Sequence, residues 1–202
     1  MTTLKLRVAT LDDAEALAAI YAPYVMETTI SFEWVPPTAD EFRARMASVM
    51  CEYPYLVCER EGEIVGYAYA HRAFERYSYR FCAELSVYVR KDARERGIGS
   101  LLYRALIALC REMRLQTLFG IVTDPNEPSF RLHEKLGFTR VGHFPHAGQK
   151  FDRWIDVVWY SLVIGDDTVP PQDMIPFPVL THERVRQIFQ EQLKIYQKEN
   201  SL

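Results

Sequence analysis

The sequence predicts an α/β (α+β) fold built on a mixed sheet, and three observations carry that expectation. Hydrophobic periods of two and of 3.6 residues follow one another in the order β-α-α-β-β-β-α-β-α-β-β. Residues 84–113 run from strand through glycine loop to amphipathic helix without a break. Thr117-Leu-Phe-Gly-Ile-Val-Thr123 is apolar almost throughout, the mark of a strand covered on both faces.

Leu4-Lys-Leu-Arg-Val8 alternates and reads as the first strand. Thr10-Leu-Asp-Asp13 opens the first helix, with Thr10 as N-cap and acidic residues in the first turn. Leu11, Ala14, Leu17, Ala18 and Tyr21 share one face, and Pro23 should end or kink the helix. Residues 28–37 have no helical period and end in Pro36-Pro37, so they form a loop. Thr38-Ala-Asp-Glu41 is a capping box for a second helix, residues 39–50, with Phe42, Met46 and Val49 on its buried side. Tyr55-Leu-Val-Cys-Glu59 and Ile64–Ala70 form a hairpin that turns at Glu61-Gly62.

His71–Arg80 is a polar, aromatic loop that leads into the central strand. Arg72, Arg76 and Arg80 could each hold a carboxylate there, or simply keep the loop solvated. In the central strand Leu85, Val87 and Val89 alternate with Ser86, Tyr88 and Arg90. Beyond it Ile98, Leu101, Leu102, Ala105, Leu106, Leu109 and Met113 give a helix with one sustained apolar face. Asp124-Pro125-Asn126 breaks the next strand. Pro128 suits the first turn of a helix over 127–136, and Gly137 suits its C-terminal cap. Residues 139–144 and 154–164 read as two closing strands. The organisation expected is a domain over residues 1–164, followed by a linker and an amphipathic helix over 165–202. The linker holds four prolines. Thr181 caps the helix, and Val185, Ile188, Phe189, Leu193 and Tyr196 form its stripe, facing either its own domain or a second subunit.

Composition narrows the function. The chain has 202 residues and a formal net charge of -3, which gives no reason to expect a nucleic-acid surface. Cys51, Cys58, Cys82 and Cys110 are scattered, against both a zinc site and a disulfide framework. The N-terminus does not resemble a signal peptide, and no apolar run is long enough to span a membrane. A reduced, cytoplasmic protein is the expectation.

The strand that starts at Glu84 breaks into a charged loop carrying Arg94-x-x-Gly97-x-Gly99, and a helix follows at once. Glycines let backbone approach an anion, and the first helical N–H groups have no internal partner. The same loop could be only a tight strand-to-helix turn. Gly-Lys-Ser/Thr and a full Gly-x-Gly-x-x-Gly are both missing, which argues against a nucleoside triphosphate loop and a dinucleotide fingerprint.

Residues 84–100 resemble the acetyl-coenzyme A motif of the GCN5-related N-acetyltransferases (GNAT), with Arg94-x-x-Gly97-x-Gly99 on the diagnostic positions. Asn126-Glu-Pro-Ser129-Phe-Arg-Leu-His133-Glu-Lys-Leu-Gly137-Phe138 is similar to that superfamily's second cofactor segment. The subfamily resembled is the phosphinothricin N-acetyltransferases, through Ile20–Val25, Thr28–Glu33, Glu84–Val89, Ser129-x-x-x-His133-Glu134 and Trp154-Ile-Asp156-Val. The sequence departs from that pattern at Cys82-Ala83, where Thr-Val is common, and at Arg80.

The resemblance implies the GNAT fold, a mixed central sheet with helices on both faces. It also implies transfer of an acetyl group from acetyl-CoA to the amino group of a small, amino-acid-like acceptor by a homodimer, without a metal. Acetylation of a protein N-terminus and acyl-CoA sensing without catalysis are the alternatives. The acceptor's ammonium, of pKa ~10, must lose a proton, and the thioester carbonyl must be held as it becomes tetrahedral. The leaving thiolate must also be stabilised. The resemblance makes Glu84 the base, often acting through water, and gives His133 the place of a leaving-group tyrosine, where it could act as acid, base or contact only. It assigns Ser86, Val87, Tyr88 and Val89 to the pantetheine arm and the acetyl carbonyl, through a bulge in the strand. Arg94, Glu95, Arg96, Gly97, Ile98, Gly99 and Ser100 go to the pyrophosphate, and Asn126 and Ser129 to further cofactor contacts. Phe32, Arg76 and Tyr79 are the expected acceptor contacts.

Overall fold

A computed structural model describes residues 4–94 and 97–200. Seven strands, β1 (Leu4–Val8), β2 (Tyr55–Arg60), β3 (Glu63–Arg72), β4 (Cys82–Val89), β5 (Thr117–Asp124), β6 (Thr139–Lys150) and β7 (Arg153–Val163), form one sheet. Its order is β1-β2-β3-β4-β5-β7-β6, and β4–β5 is the only parallel pair among the described residues. Helices α1 (Ala14–Glu27) and α2 (Ala39–Met50) cover one face, with Leu17, Phe42 and Met46 packed on Val57 and Tyr67. Helix α3 (Ile98–Glu112) covers the other, with its whole expected apolar face buried against Leu56, Ala68, Ala83 and Leu85. The mixed sheet with helices on both faces is therefore as expected.

Local chemistry explains the boundaries. Thr38 and Glu41 close the expected capping box: Thr38 Oγ1 accepts from Glu41 N at 3.2 Å and Thr38 N donates to Glu41 Oε2 at 2.8 Å. The box at Thr10 and Asp13 opens a short 3₁₀ turn that runs directly into α1. Pro23 does not end α1, which continues to Glu27 with Tyr24 and Val25 buried beneath it. Packing of those two side chains outweighs the one backbone donor that proline lacks. Glu61 and Gly62 both take positive φ (56° and 87°) and turn the β2–β3 hairpin.

The closing hairpin is longer than its alternation suggested. Strand β6 continues past Phe144 to Lys150, and Phe151 and Asp152, both at positive φ, turn it into β7. Register shifts near Gly142 and between Phe144 and Gly148 break the two-residue period, and nearly all of β6 faces solvent.

Helix α4 (Glu127–Lys135) lies beside β5 and is capped by Asn126. Helix α5 (His182–Glu199) runs antiparallel along α3, with Arg184 on Glu112 at 2.7 Å at one end and Glu199 on Arg104 at 3.2 Å at the other. Its stripe joins the α3 core through Val185, Ile188 and Phe189. The stripe is thus covered by its own chain.

Candidate active site

The site begins where the sheet divides. Strand β4 pairs with β3 over its full length, from Ala83 opposite Arg72 to Val89 opposite Gly66. On its other edge it pairs with β5 only from Cys82 to Glu84. Beyond Glu84 the two parallel strands diverge and leave a cleft. The β3–β4 register has no shift, so the expected bulge near Leu85 to Val87 is not there; the split itself frees the backbone groups.

Two tyrosines occupy parts of that free edge. Tyr103 Oη donates to Leu85 O at 3.0 Å. Tyr24 Oη donates to Val89 O at 2.7 Å and accepts from Val89 N at 3.0 Å. By the two-residue period Val87 N–H and C=O point into the same cleft. Of the residues expected to meet the pantetheine, Val87 therefore keeps its position, whereas the backbone of Val89 is already engaged by Tyr24. Ser86 and Tyr88 turn their side chains to the opposite, α1–α2 face, where Tyr88 packs on Tyr21, Tyr24 and Tyr67.

At the far end of the cleft Gly97 caps α3 with φ +72°, a left-handed conformation suited to glycine. Among the described residues no side chain caps this helix, and its first turn has no acidic residue. The N–H groups of Ile98, Gly99 and Ser100 are thus left for an external acceptor, as an anion site requires. A Cβ at Gly99 would meet Leu132 and Val89 at 3.8 and 3.9 Å, ordinary contacts. The protein's own packing does not demand glycine there, but close approach by a ligand would. The Arg94 guanidinium lies 4.7 Å from the Tyr24 ring centroid at the mouth of the cleft. Glu95 and Arg96 lie outside the described residues. This edge, with its uncapped helix, fits an extended amide arm ending in a pyrophosphate.

Glu84 and His133 stand on opposite faces of the sheet, and the split joins the two sides. Glu84 shares its face with Ser86 and Tyr88, and its carboxylate lies 3.8 Å from His71 Nε2. Burial pushes the Glu84 carboxyl above its usual range, and the His71 charge opposes that shift. The result is a carboxylate more basic than an exposed one.

His133 is buried, not a surface histidine. Its Nδ1–H donates to Ser129 O at 2.8 Å, which leaves Nε2 bare and 3.3 Å from Tyr103 Oη. Burial also holds it below the usual histidine value, so it is neutral at pH 7. In that state Nε2 can accept a proton but has none to give. The ring sits in the hollow over Gly120 of β5, where a Cβ would overlap it. Tyr103 and Gly120 are site residues that sequence reasoning missed. A glycine inside an otherwise apolar strand was the available signal.

Asn126 caps α4 through Oδ1, which accepts from Ser129 N at 3.4 Å, and Ser129 fixes the His133 tautomer. On the α1–α2 face a pocket of about 250 Å³ is lined by Tyr21, Tyr55, Tyr67, Tyr69, Tyr88, Phe42, Val49, His71, Glu33 and Arg45. Arg45 holds Glu33 by two hydrogen bonds of 2.7 and 3.1 Å, and Tyr21 donates to Glu33 at 2.9 Å. The neighbouring loop is tied down by buried Lys150, whose Nζ donates to Val25 O and Ser31 O at 2.7 and 2.6 Å.

The expected acceptor contacts are dispersed. Phe32 rests on Gly148 of β6. Tyr79 packs on Phe74, which packs on Phe119, the register neighbour of Glu84. Arg76 instead lines a separate groove with Glu52, Arg72 and Asp173, so this chain does not bring it to Glu84. A larger groove of about 700 Å³, between Arg111, Arg114 and the linker, lies at the opposite end of β4 from the cleft.

Comparison with known proteins agrees with this geometry. The family model of the acetyltransferase (GNAT) domain matches residues 6–159. A phosphinothricin N-acetyltransferase of Alcaligenes faecalis is 45% identical over 81% of this chain and 85% of its own. An L-methionine sulfoximine/L-methionine sulfone acetyltransferase of Pseudomonas paraeruginosa is 37% identical over 78% of this chain and 92% of its own. The crystal structure of a phosphinothricin acetyltransferase from Sinorhizobium meliloti in complex with acetyl-CoA superposes with a TM-score of 0.80 at 29% identity, covering 87% of this chain and 98% of that one. The family match ends before α5. The chain belongs to the GNAT acetyltransferases and is an acetyl-CoA-dependent N-acetyltransferase.

Proposed function

We propose that the acceptor is the α-amino group of a small amino-acid-like compound of the phosphinothricin or methionine sulfone kind. The observation that carries this reading is the small, tyrosine-lined pocket of about 250 Å³ beside His71 and Glu84. Its size suits a single amino acid better than the end of a protein chain. The names of the relatives point the same way.

In this reading Glu84 takes the ammonium proton, directly or through one water, and the amine attacks from the α1–α2 face. The amine nitrogen bonds the thioester carbonyl carbon presented from the cleft, the C–S bond breaks, and CoA leaves as a thiolate that takes its proton from solvent. The Val87 N–H faces the carbonyl oxygen, and the uncapped start of α3 with Arg94 holds the pyrophosphate. His133 acts through Tyr103 and the width of the split; with Nε2 bare it is not the proton donor to the thiolate. Thiol release across a panel of phosphinothricin, methionine sulfone, methionine sulfoximine, common amino acids and short peptides tests the acceptor. Turnover with peptides alone would overturn it.

The protein acts as a cytoplasmic homodimer. The four cysteines are all free thiols, as a reducing compartment would keep them. No helix among the described residues is long and apolar enough to cross a membrane. The long edge hairpin exposes Val141, Phe144 and Trp154, and the α5 stripe is already covered. Light scattering should therefore give a dimer both for the whole chain and after removal of residues 166–202. A monomer in both would exclude pairing.

A further inference from the structure

Helix α5 follows the matched acetyltransferase domain, and its far end reaches the cofactor loop. It is 18 residues long, about 27 Å, and spans α3 from Glu112 to the loop before Ile98. Its start is fastened three ways. Thr181 Oγ1 caps it, Arg184 pairs with Glu112, and the preceding segment donates from Ile175 N to Met113 O and from Phe177 N to Glu52 O. Val185, Ile188 and Phe189 then bury against the core. With that end fixed, the direction of α3 dictates where the other end falls.

It falls on Gly97. The Tyr196 ring lies 3.4 Å from where a Gly97 Cβ would stand, and Asn200 Nδ2 lies 3.8 Å from it. Nearly two turns into α3, the largely buried Arg104 finds its counter-charge in Glu199 at 3.2 Å. Gly97 is the residue whose left-handed backbone aims the first N–H groups of α3 outward. A ring packed on that backbone limits the conformations open to Gly97 before any ligand arrives.

We propose that the C-terminal helix is a brace for the cofactor loop, with Tyr196 the positioning residue and the Arg104–Glu199 pair its tether. The inference rests on assigning this loop to the pyrophosphate of acetyl-CoA. Without the brace the loop must be ordered by the cofactor itself, which weakens binding and leaves the chemistry untouched. The effect is therefore on KM for acetyl-CoA and on the Kd of CoA, not on kcat or on KM for the amine.

The test is Tyr196→Ala in the full-length chain, with Tyr196→Phe as the conservative variant and Glu199→Gln as a second cut that leaves the core alone. Tyr196→Ala should raise KM for acetyl-CoA and the calorimetric Kd of CoA by roughly five- to tenfold at unchanged kcat. Tyr196→Phe keeps the ring on Gly97 and should move both less than Tyr196→Ala does. Glu199→Gln should move both in the same direction by about two- to threefold, and it decides the matter if Tyr196→Ala does not fold. Gly99→Ala separates the two readings. If it raises KM for acetyl-CoA while the Tyr196 and Glu199 variants do not, the brace is wrong and the loop assignment stands. If Gly99→Ala leaves KM unchanged, the loop assignment fails and the brace with it. A Tyr196→Ala protein that melts earlier but binds CoA as tightly as wild type would make α5 a stability element only, against the proposal.

Discussion

Gly120→Ala is the sharpest structural perturbation of the split. A methyl group at this position would occupy the volume of the His133 imidazole. The ring has nowhere to go. Its centroid is 5.3 Å from Tyr103, 5.1 Å from Phe138 and 5.1 Å from Tyr160, and Nδ1 is held by Ser129 O. Overpacking a closed site costs roughly 1–3 kcal/mol, and the confinement here puts the expected loss near 3 kcal/mol. For a chain of this size that corresponds to a fall in Tm of about 6–12 °C. His133→Ala alone is also destabilising, because it empties the hollow and removes the Nδ1–H donation to Ser129 O. The double variant Gly120→Ala/His133→Ala fills the hollow again and should be more stable than the sum of the two losses by about 2 kcal/mol. Thermal melts of the four proteins measure both quantities. A Gly120→Ala protein that melts within about 2 °C of wild type, or single losses that simply add, would refute the packing of His133 on Gly120.

Two further outcomes follow from the site. Protonated His71 lowers the Glu84 pKa, so His71→Gln should move the acid limb of kcat/KM to higher pH; a limb that stays in place or moves down would remove His71 from the site. Lys150→Met leaves Val25 O and Ser31 O without their buried donor and should destabilise by about 2–4 kcal/mol. It should also raise KM for the amine more than KM for acetyl-CoA, because the loop it frees carries Glu33 into the tyrosine pocket; equal rises in steady-state kinetics would contradict that placement.

The parts of the fold that were legible in the sequence are those set by local rules. The apolar face of α3, the Thr38–Glu41 box, the Glu61-Gly62 turn and the Gly137 cap of α4 each depend on residues a few positions apart. The second half of β6 was not legible, since its side chains face solvent and register shifts break the alternation. Pro23 misled for a related reason: burial of Tyr24 and Val25 is a tertiary effect. Within the site, Glu84 and the α3 glycine loop follow from a contiguous pattern. Tyr103 and Gly120 do not, because their partner His133 is 30 residues from one and on a different element from the other. Arg76 was expected at the acceptor from the subfamily resemblance, but here it lines a separate groove with Glu52 and Asp173. The α5 stripe offered no clue to its partner, and only the antiparallel run along α3 shows that it is covered in cis.

The central claim is that Glu84, made more basic by burial, accepts the acceptor's proton beside the split. The direct measurement is the pH–rate profile of Glu84→Gln against wild type. Glutamine keeps the shape and can hold a water, but it cannot take its proton. Turnover should fall by roughly 100- to 10,000-fold at neutral pH, with the fold and the affinity for acetyl-CoA retained. Part of the rate should return as rising pH supplies free amine. In wild type the acid limb should lie above the ordinary carboxylate range, because burial raises the pKa of the group that must be ionised. Turnover of Glu84→Gln within about threefold of wild type across the whole pH range, far short of that general-base contribution, would contradict the account.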